Sequence, residues 1–226
     1  MKNTTYLFIV CAFLFLTNTY YAQGEYLNKG ESGFGFIFSL DKNNVISGNS
    51  LEAGFSLNGI FDFDLSFSFG SAKSSNPNGY NETGTVNYSA VQPAISAYIF
   101  KPDSSHKSGI CFTLAYETTT YTYDSGNYYF RGDKTSSATL LALTVYGGKK
   151  NKKINFLPSF TAGCLFTDGV ANLLIGSGLG IKYDVNDKLG LLVSPSISFY
   201  PLSTPSEYKA KYSFSLTFGL LFSAKE

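Results

Sequence analysis

The sequence predicts an all-β protein, an antiparallel transmembrane β-barrel of ten strands, with eight strands as the alternative. Three observations support this fold class. Residues 61–69 alternate strictly between bulky apolar and small polar side chains, which is the period of an extended strand. The 226 residues include 21 Phe, 17 Tyr and 22 Gly but no Trp, a composition that favours strands and turns over helices. The same alternation recurs along most of the chain.

The polar set of this alternation favours a barrel over a soluble sandwich. In a soluble sheet the apolar face covers a core, whereas in an outer-membrane barrel it meets lipid and the polar face lines the lumen. The polar set here is mostly Gly, Ser, Thr and Asn, and we expect it to lack the large apolar residues that a sandwich needs on its second sheet. Apolar faces on so many strands would cause a soluble protein to aggregate. A soluble secreted β-sandwich is kept as the third interpretation.

The N-terminus predicts a cleaved secretory signal peptide over residues 1–22. Lys2 precedes an apolar run at 6–16, which is too short to span a bilayer as a helix. Cleavage after Ala22, to within a few residues, would leave residues 23–226 as one barrel domain exported through the Sec pathway. Because this domain keeps 16 basic and 16 acidic residues, its net charge near zero argues against nucleic acid as a partner.

The first part of the mature chain predicts four strands. Asn58-Gly59 is the strongest turn signal, because a type I′ hairpin turn requires positive φ at both central residues. The predicted segments are strand 1 at 32–40, loop 41–48, strand 2 at 51–57, strand 3 at 61–69, loop 71–85, strand 4 at 86–100 and turn 101–107.

The second part predicts six more strands. These are strand 5 at 109–121, loop 123–136, strand 6 at 138–146, turn 147–153, strand 7 at 154–166, turn 167–169, strand 8 at 170–183, turn 184–188, strand 9 at 189–200, loop 201–209 and strand 10 at 212–222. Long and short connections alternate, as expected for external loops and periplasmic turns, although the tight connection between strands 7 and 8 breaks the rule. We expect local bulges at Pro93, Pro158 and Pro195, because proline removes a ladder donor.

Three features resemble the small outer-membrane β-barrel families of Bacteroidota, namely the porin family and the PorT-like and OmpA-like barrel domains. They are the signal ending in Ala22-Gln23, a proline-led strand phrase at 93–98, 158–163 and 195–200, and the aromatic alternation of the last strand. The resemblance implies location in the cell outer membrane, contact with its lipid and insertion by the barrel-assembly machinery. One departure is that Phe222 is followed by Ser-Ala-Lys-Glu rather than ending the chain.

Charged residues on the predicted inner face suggest two kinds of site. Asp62 and Asp64 share this face, with Glu52 across the hairpin. They could form a carboxylate cluster for acid–base chemistry or cation binding. They could also belong to a lumen salt-bridge network, which we favour because small barrels are filled by side chains. The predicted network comprises Glu52, Asp62, Asp64, Glu117, Lys182 and Lys211.

The sequence predicts no catalytic residue, metal ligand or cofactor, and no enzyme activity is expected. His106 is the one histidine and lies in a predicted turn. The glycine-rich residues 176–180 lie within a strand pattern that no helix follows, which excludes a dinucleotide-binding loop. Cys111 falls on the inner face and Cys164 on the outer face, so we expect two free thiols rather than a disulfide.

Two functional interpretations remain open. The first is an outer-membrane barrel with a narrow or plugged lumen that has a structural, small-solute or assembly role. The second is a binding module whose external loops engage an external ligand or a partner in a secretion complex. Tyr128, Tyr129 and Arg131 mark a candidate loop binding surface, because exposed aromatic residues favour interfaces. The aromatic residues of this loop fit an upper membrane girdle equally well.

Overall fold

The computed structural model describes residues 27, 30–43, 46–75, 83–100, 106–124, 131–150, 153–167, 170–199 and 212–224. The predicted signal peptide at 1–22 lies outside these ranges. Within them, no helix is long and apolar enough to cross a membrane.

Ten strands run through the described residues. They are β1 Ser32–Asn43, β2 Ile46–Leu57, β3 Phe61–Ser75, β4 Thr83–Phe100, β5 His106–Asp124, β6 Arg131–Lys150, β7 Ile154–Thr167, β8 Val170–Asp184, β9 Leu189–Phe199 and β10 Tyr212–Ala224.

The sheet closes on itself into a barrel. Each strand pairs antiparallel with its neighbour in the chain, and β1 pairs with β10 from Ser32↔Ala224 to Asn43↔Ser213. The predicted antiparallel barrel and its strand number are therefore confirmed over the described residues, and the eight-strand and sandwich alternatives are wrong. We call the end that carries the connections β2–β3, β4–β5, β6–β7 and β8–β9 the turn end, and the opposite end the loop end.

The two faces of the wall follow the predicted alternation. On β3, Phe61, Phe63, Leu65, Phe67 and Phe69 point outward and are between 41% and 48% exposed, whereas Asp62 is 0% exposed. The same outward belt continues around the barrel. The Asn58-Gly59 turn is also confirmed, because both residues have positive φ, 54° and 57°.

The strands extend further than predicted, mainly toward the loop end and in two places toward the turn end. The loop predicted at 41–48 is replaced by strand up to Asn43 and again from Ile46, and the loops predicted at 71–85 and 123–136 are shortened in the same way. The predicted turns at 101–107 and 147–153 also lose residues to β5 and β6. These predictions failed because backbone pairing continues where the outward side chains change from apolar to polar, so the apolar alternation ends before the strand does.

The predicted bulges at the three prolines are wrong. Pairing across β8 and β9 skips Pro195 but resumes in the same register, from Ile181↔Val193 to Gly178↔Ser196. Pro93 and Pro158 interrupt one neighbouring ladder likewise. Proline removes an N–H without adding a residue, so the register is unchanged. At Pro195 the preceding Ser194 hydroxyl donates to the Leu179 carbonyl oxygen at 3.0 Å, which supplies a donor beside the proline.

The interior contains more large apolar side chains than the alternation predicts. Leu140, Leu157, Leu165 and Leu192 are inward and at most 2% exposed, so the expected absence of large apolar residues on this face is wrong. The two cysteines are as predicted. Cys111 is buried, Cys164 is exposed, and both are free thiols.

Candidate functional site in the barrel interior

An acidic patch lines the inner wall of the β2–β3 hairpin. The register places Glu52 opposite Ser66 and Asp62 opposite Ser56, with Asp64 between them. Asp62 and Asp64 are 0% and 7% exposed. Glu52, Asp62 and Asp64 lie close enough for their like charges to repel one another. The structure therefore brings together the three acidic residues that the alternation placed on one face.

Gly54 makes room for this patch. It pairs with Asp64, and a Cβ at this position would overlap the Asp64 carboxylate oxygen Oδ1. The other carboxylate oxygen, Asp64 Oδ2, has no hydrogen-bond partner within the described chain, and neither do the Ser56 and Ser66 hydroxyls. Buried polar groups of this kind normally bind water or another polar group, so the patch is polar and incompletely satisfied by the wall itself.

Tyr98, on β4, connects the acidic patch to Tyr146 on β6. Its hydroxyl donates to Asp62 Oδ2 at 3.0 Å, and its ring meets the Tyr146 ring edge-to-face with centroids 5.9 Å apart. Sequence reasoning missed both tyrosines, because aromatic residues were assigned to the outer face or the girdle. Strand alternation could have found Tyr98, because it lies two residues from the inward Ser96 on the same strand and so points to the same face.

We expect Tyr98→Phe to lower the free energy of unfolding by about 1–3 kcal/mol, because a buried carboxylate loses the hydrogen bond that the Tyr98 hydroxyl donates. The ring remains in place, so apolar packing is retained. Urea unfolding in lipid vesicles measures the change. Tyr116→Phe is the matched control, since Tyr116 is outward and 50% exposed. An equal effect of the two substitutions would show that the Tyr98 hydroxyl contributes nothing specific.

Lys182 pairs away from the acidic patch. Its ammonium lies 2.8 Å from Asp184 Oδ1 on the same strand, β8, and Asn155 donates its side-chain amide to Asp184 Oδ2 at 2.9 Å. Glu117 lies apart as well, on β5, and accepts a hydrogen bond from Thr119 at 2.6 Å. The predicted network is therefore divided into the acidic patch, the Lys182 pair and Glu117.

The predicted loop binding surface and part of the predicted network lie at or beyond the edge of the described residues. Lys211, Tyr128 and Tyr129 lie outside the described residues. Arg131 begins β6, opposite Asp124, and its side chain is not described. The loop binding surface therefore stays a prediction. His106, expected in a turn, instead begins β5 opposite Lys149.

A cluster of buried side chains crosses the lumen near the turn end. We call it the plug cluster. Its members are Ile37, Tyr98, Cys111, Tyr146, Leu157, Leu192 and Leu221. They come from β1, β4, β5, β6, β7, β9 and β10, so side chains from most of the circumference meet at one level.

The interior offers oxygen and sulfur groups of several kinds. Among the described residues, no group of three or more His, Cys, Asp or Glu side chains is arranged to hold a metal ion. The acidic patch offers carboxylates, hydroxyls and one tyrosine, Tyr98. The free thiol Cys111 lies opposite this tyrosine on β5. This arrangement provides polar contacts inside a packed barrel.

No family model matches the chain, and no curated protein matches it. Solved outer-membrane barrels resemble it in fold. The β-domain of the Bordetella autotransporter BrkA has 11% identity and a TM-score of 0.53, covering 86% of this chain and 100% of that one. The transport unit of the autotransporter AIDA-I from Escherichia coli has 9% identity and a TM-score of 0.51, covering 93% and 94%.

The outer-membrane protease OmpT from Escherichia coli is a weaker match. It has 8% identity and a TM-score of 0.43, covering 86% of this chain and 95% of that one, which is too low to carry an argument about activity. The likenesses show the fold alone. The chain has the closed antiparallel barrel of outer-membrane proteins, while its assignment to the porin family of Bacteroidota stays a prediction.

Proposed function

We propose that the chain is an integral outer-membrane protein whose lumen is closed, so that it serves as a structural barrel rather than an open pore. The plug cluster carries this proposal, because its side chains meet across the lumen. The outward apolar belt supports the membrane location, since a soluble protein rarely exposes large contiguous apolar patches. Export through the Sec pathway and insertion by the barrel-assembly machinery belong to the same proposal.

Gel mobility and conductance test it together. The protein purified in detergent should run as a compact band that shifts on boiling, and it should show no steady conductance in planar bilayers. Leu157→Ala combined with Leu192→Ala removes two plug side chains and should raise the conductance. The control Leu191→Ala changes the outward neighbour of Leu192. Steady conductance of the unmodified protein, equal to that of the double variant, would overturn the closed lumen.

A second candidate is a surface-binding module. Strands β4, β5 and β6 contain 18, 19 and 20 residues, whereas about 9–11 residues cross a bilayer in a tilted strand. Their outward positions change from apolar to Ser, Thr and Asn at Ser89, Thr118 and Thr139. These strands therefore reach beyond the apolar belt at the loop end. Thr120→Arg adds a bulky charge to this polar face and should reduce capture of an external ligand or partner. Unchanged capture would overturn the candidate.

A further inference from the structure

An apolar groove crosses the outer surface of five neighbouring strands, β3, β2, β1, β10 and β9. Two rows of outward side chains form its sides. One row follows the pairings Leu65↔Ala53, Ala53↔Phe36, Phe36↔Leu220 and Leu220↔Leu191. The other row lies two residues further along each strand and comprises Phe67, Leu51, Phe38, Phe218 and Val193. The space between the rows forms a cavity lined by both of them.

The floor of this groove is the strand backbone. Glu52, Ile37, Gly219 and Leu192 lie between the two rows and also line the cavity. Their positions alternate with the outward residues, so their side chains belong to the inner face. The groove is therefore bounded by hydrocarbon side chains and by backbone whose hydrogen bonds are already made within the sheet.

Ala53 opens the middle of the groove. Every other member of the two rows is Leu, Val or Phe, and the neighbours of Ala53 on either side are Phe36 and Leu65. A methyl group at this position leaves space that a larger side chain would fill. The whole groove between the two rows has a volume of about 640 Å³.

The dimensions select the occupant. The two rows are about 6.7 Å apart between Cα atoms, so the space between their side chains is narrower than this, and five strands side by side span about 19 Å. The groove is thus long and narrow, whereas an α-helix with its side chains is about 10 Å across. A peptide strand would bring backbone groups that find no free donor or acceptor on a paired sheet. A single unbranched hydrocarbon chain is narrower than a helix and has no polar groups that need a partner.

We propose that this groove binds one acyl chain of a membrane lipid and retains that lipid when the surrounding bilayer is removed. The inference rests on the proposed membrane location, because the groove is continuous with the belt that faces lipid. Binding would bridge β1 and β10, the strands that close the barrel, together with their neighbours on both sides. The lipid would then contact both β1 and β10, the two strands whose pairing closes the barrel.

The experiment measures lipid retained after exchange into detergent. The protein is reconstituted with palmitoyl-oleoyl phosphatidylethanolamine, extracted, washed and examined by native mass spectrometry. We expect the unmodified protein to keep one lipid. Ala53→Phe should reduce its occupancy about tenfold, because the ring fills the open middle of the groove. Ala162→Phe is the matched control, an outward alanine on β7 outside the groove, and should keep the lipid.

The outcomes separate the two proposals. A band that fails to shift on boiling for the unmodified protein overturns the membrane barrel itself. A normal shift with equal lipid retention in Ala53→Phe and Ala162→Phe overturns only the groove. A dimer of the unmodified protein that Ala53→Phe dissociates, without any retained lipid, would make a second copy of the chain the occupant and also overturn the inference.

Discussion

Gly70→Ala is expected to destabilise the compact barrel strongly. Gly70 pairs with Tyr88 on β4 and with Gly48 on β2, so the three inward positions form one row. A Cβ at Gly70 would overlap the Ser47 carbonyl oxygen and the Tyr88 hydroxyl and lie 2.6 Å from Tyr88 Cε1. The Tyr88 ring therefore lies over both glycines, and it is 6% exposed.

The expected loss is about 3 kcal/mol in the free energy of unfolding, at the upper end of overpacking effects, because the new methyl meets backbone as well as a ring. The fraction of compact unboiled protein on a gel, followed through urea in lipid vesicles, measures it. Gly147→Ala is the control, since a Cβ there meets nothing closer than 3.4 Å. If both variants fold equally well, the tyrosine does not require glycine beneath it.

The contacts of Gly48 indicate that the Tyr88 ring is what excludes a side chain at these glycine positions. A Cβ at Gly48 would overlap the Tyr88 hydroxyl, whereas the Phe69 carbonyl oxygen is 3.1 Å away. Gly48→Ala should therefore cost less in a Tyr88→Ala background than in the unmodified protein, with a coupling of about 1 kcal/mol or more. An aromatic residue that covers glycines on neighbouring strands also fixes their register, and a slip by one residue would turn Tyr88 outward.

The sequence predicted the architecture well because the barrel repeats one local rule. Alternation assigned Phe63 outward and Asp62 inward without any knowledge of the partner strands. The Asn58-Gly59 turn set the register of the β2–β3 hairpin. Strand ends at the loop end were predicted poorly, because residues such as Thr122 and Ser137 are polar on the outer face. The apolar signal stops before them, while backbone pairing continues.

The interior contacts were beyond sequence reasoning for a different reason. Alternation shows that Lys182 points inward, but it does not show which inward residue lies within reach across a closed wall. Lys182 pairs with Asp184, two residues along its own strand, rather than with the acidic patch. Tyr98 reaches Asp62 on the adjacent strand β3, and its ring reaches Tyr146 only because the wall curves. Such contacts depend on closure, which is a property of all strands together.

Leu114→Arg tests whether the outward belt lies in lipid. Leu114 is on β5 between Phe112 and Tyr116, and it is 42% exposed in the isolated barrel. For a soluble protein, a substitution at such an exposed position changes the free energy of unfolding by at most about 0.5 kcal/mol. In a bilayer, arginine near the midplane of a barrel costs about 2–4 kcal/mol, and we expect a loss of this size in vesicles.

Thr120→Arg is the matched control for this substitution. Thr120 lies on the same strand and the same outer face, beyond the apolar belt, so the same charge should cost at most about 0.5 kcal/mol there. The difference between the two variants isolates membrane depth, because strand, face and introduced residue are identical. Equal small losses at both positions would mean that the Leu114 side chain meets water, and the outward belt would then need a protein partner to cover it.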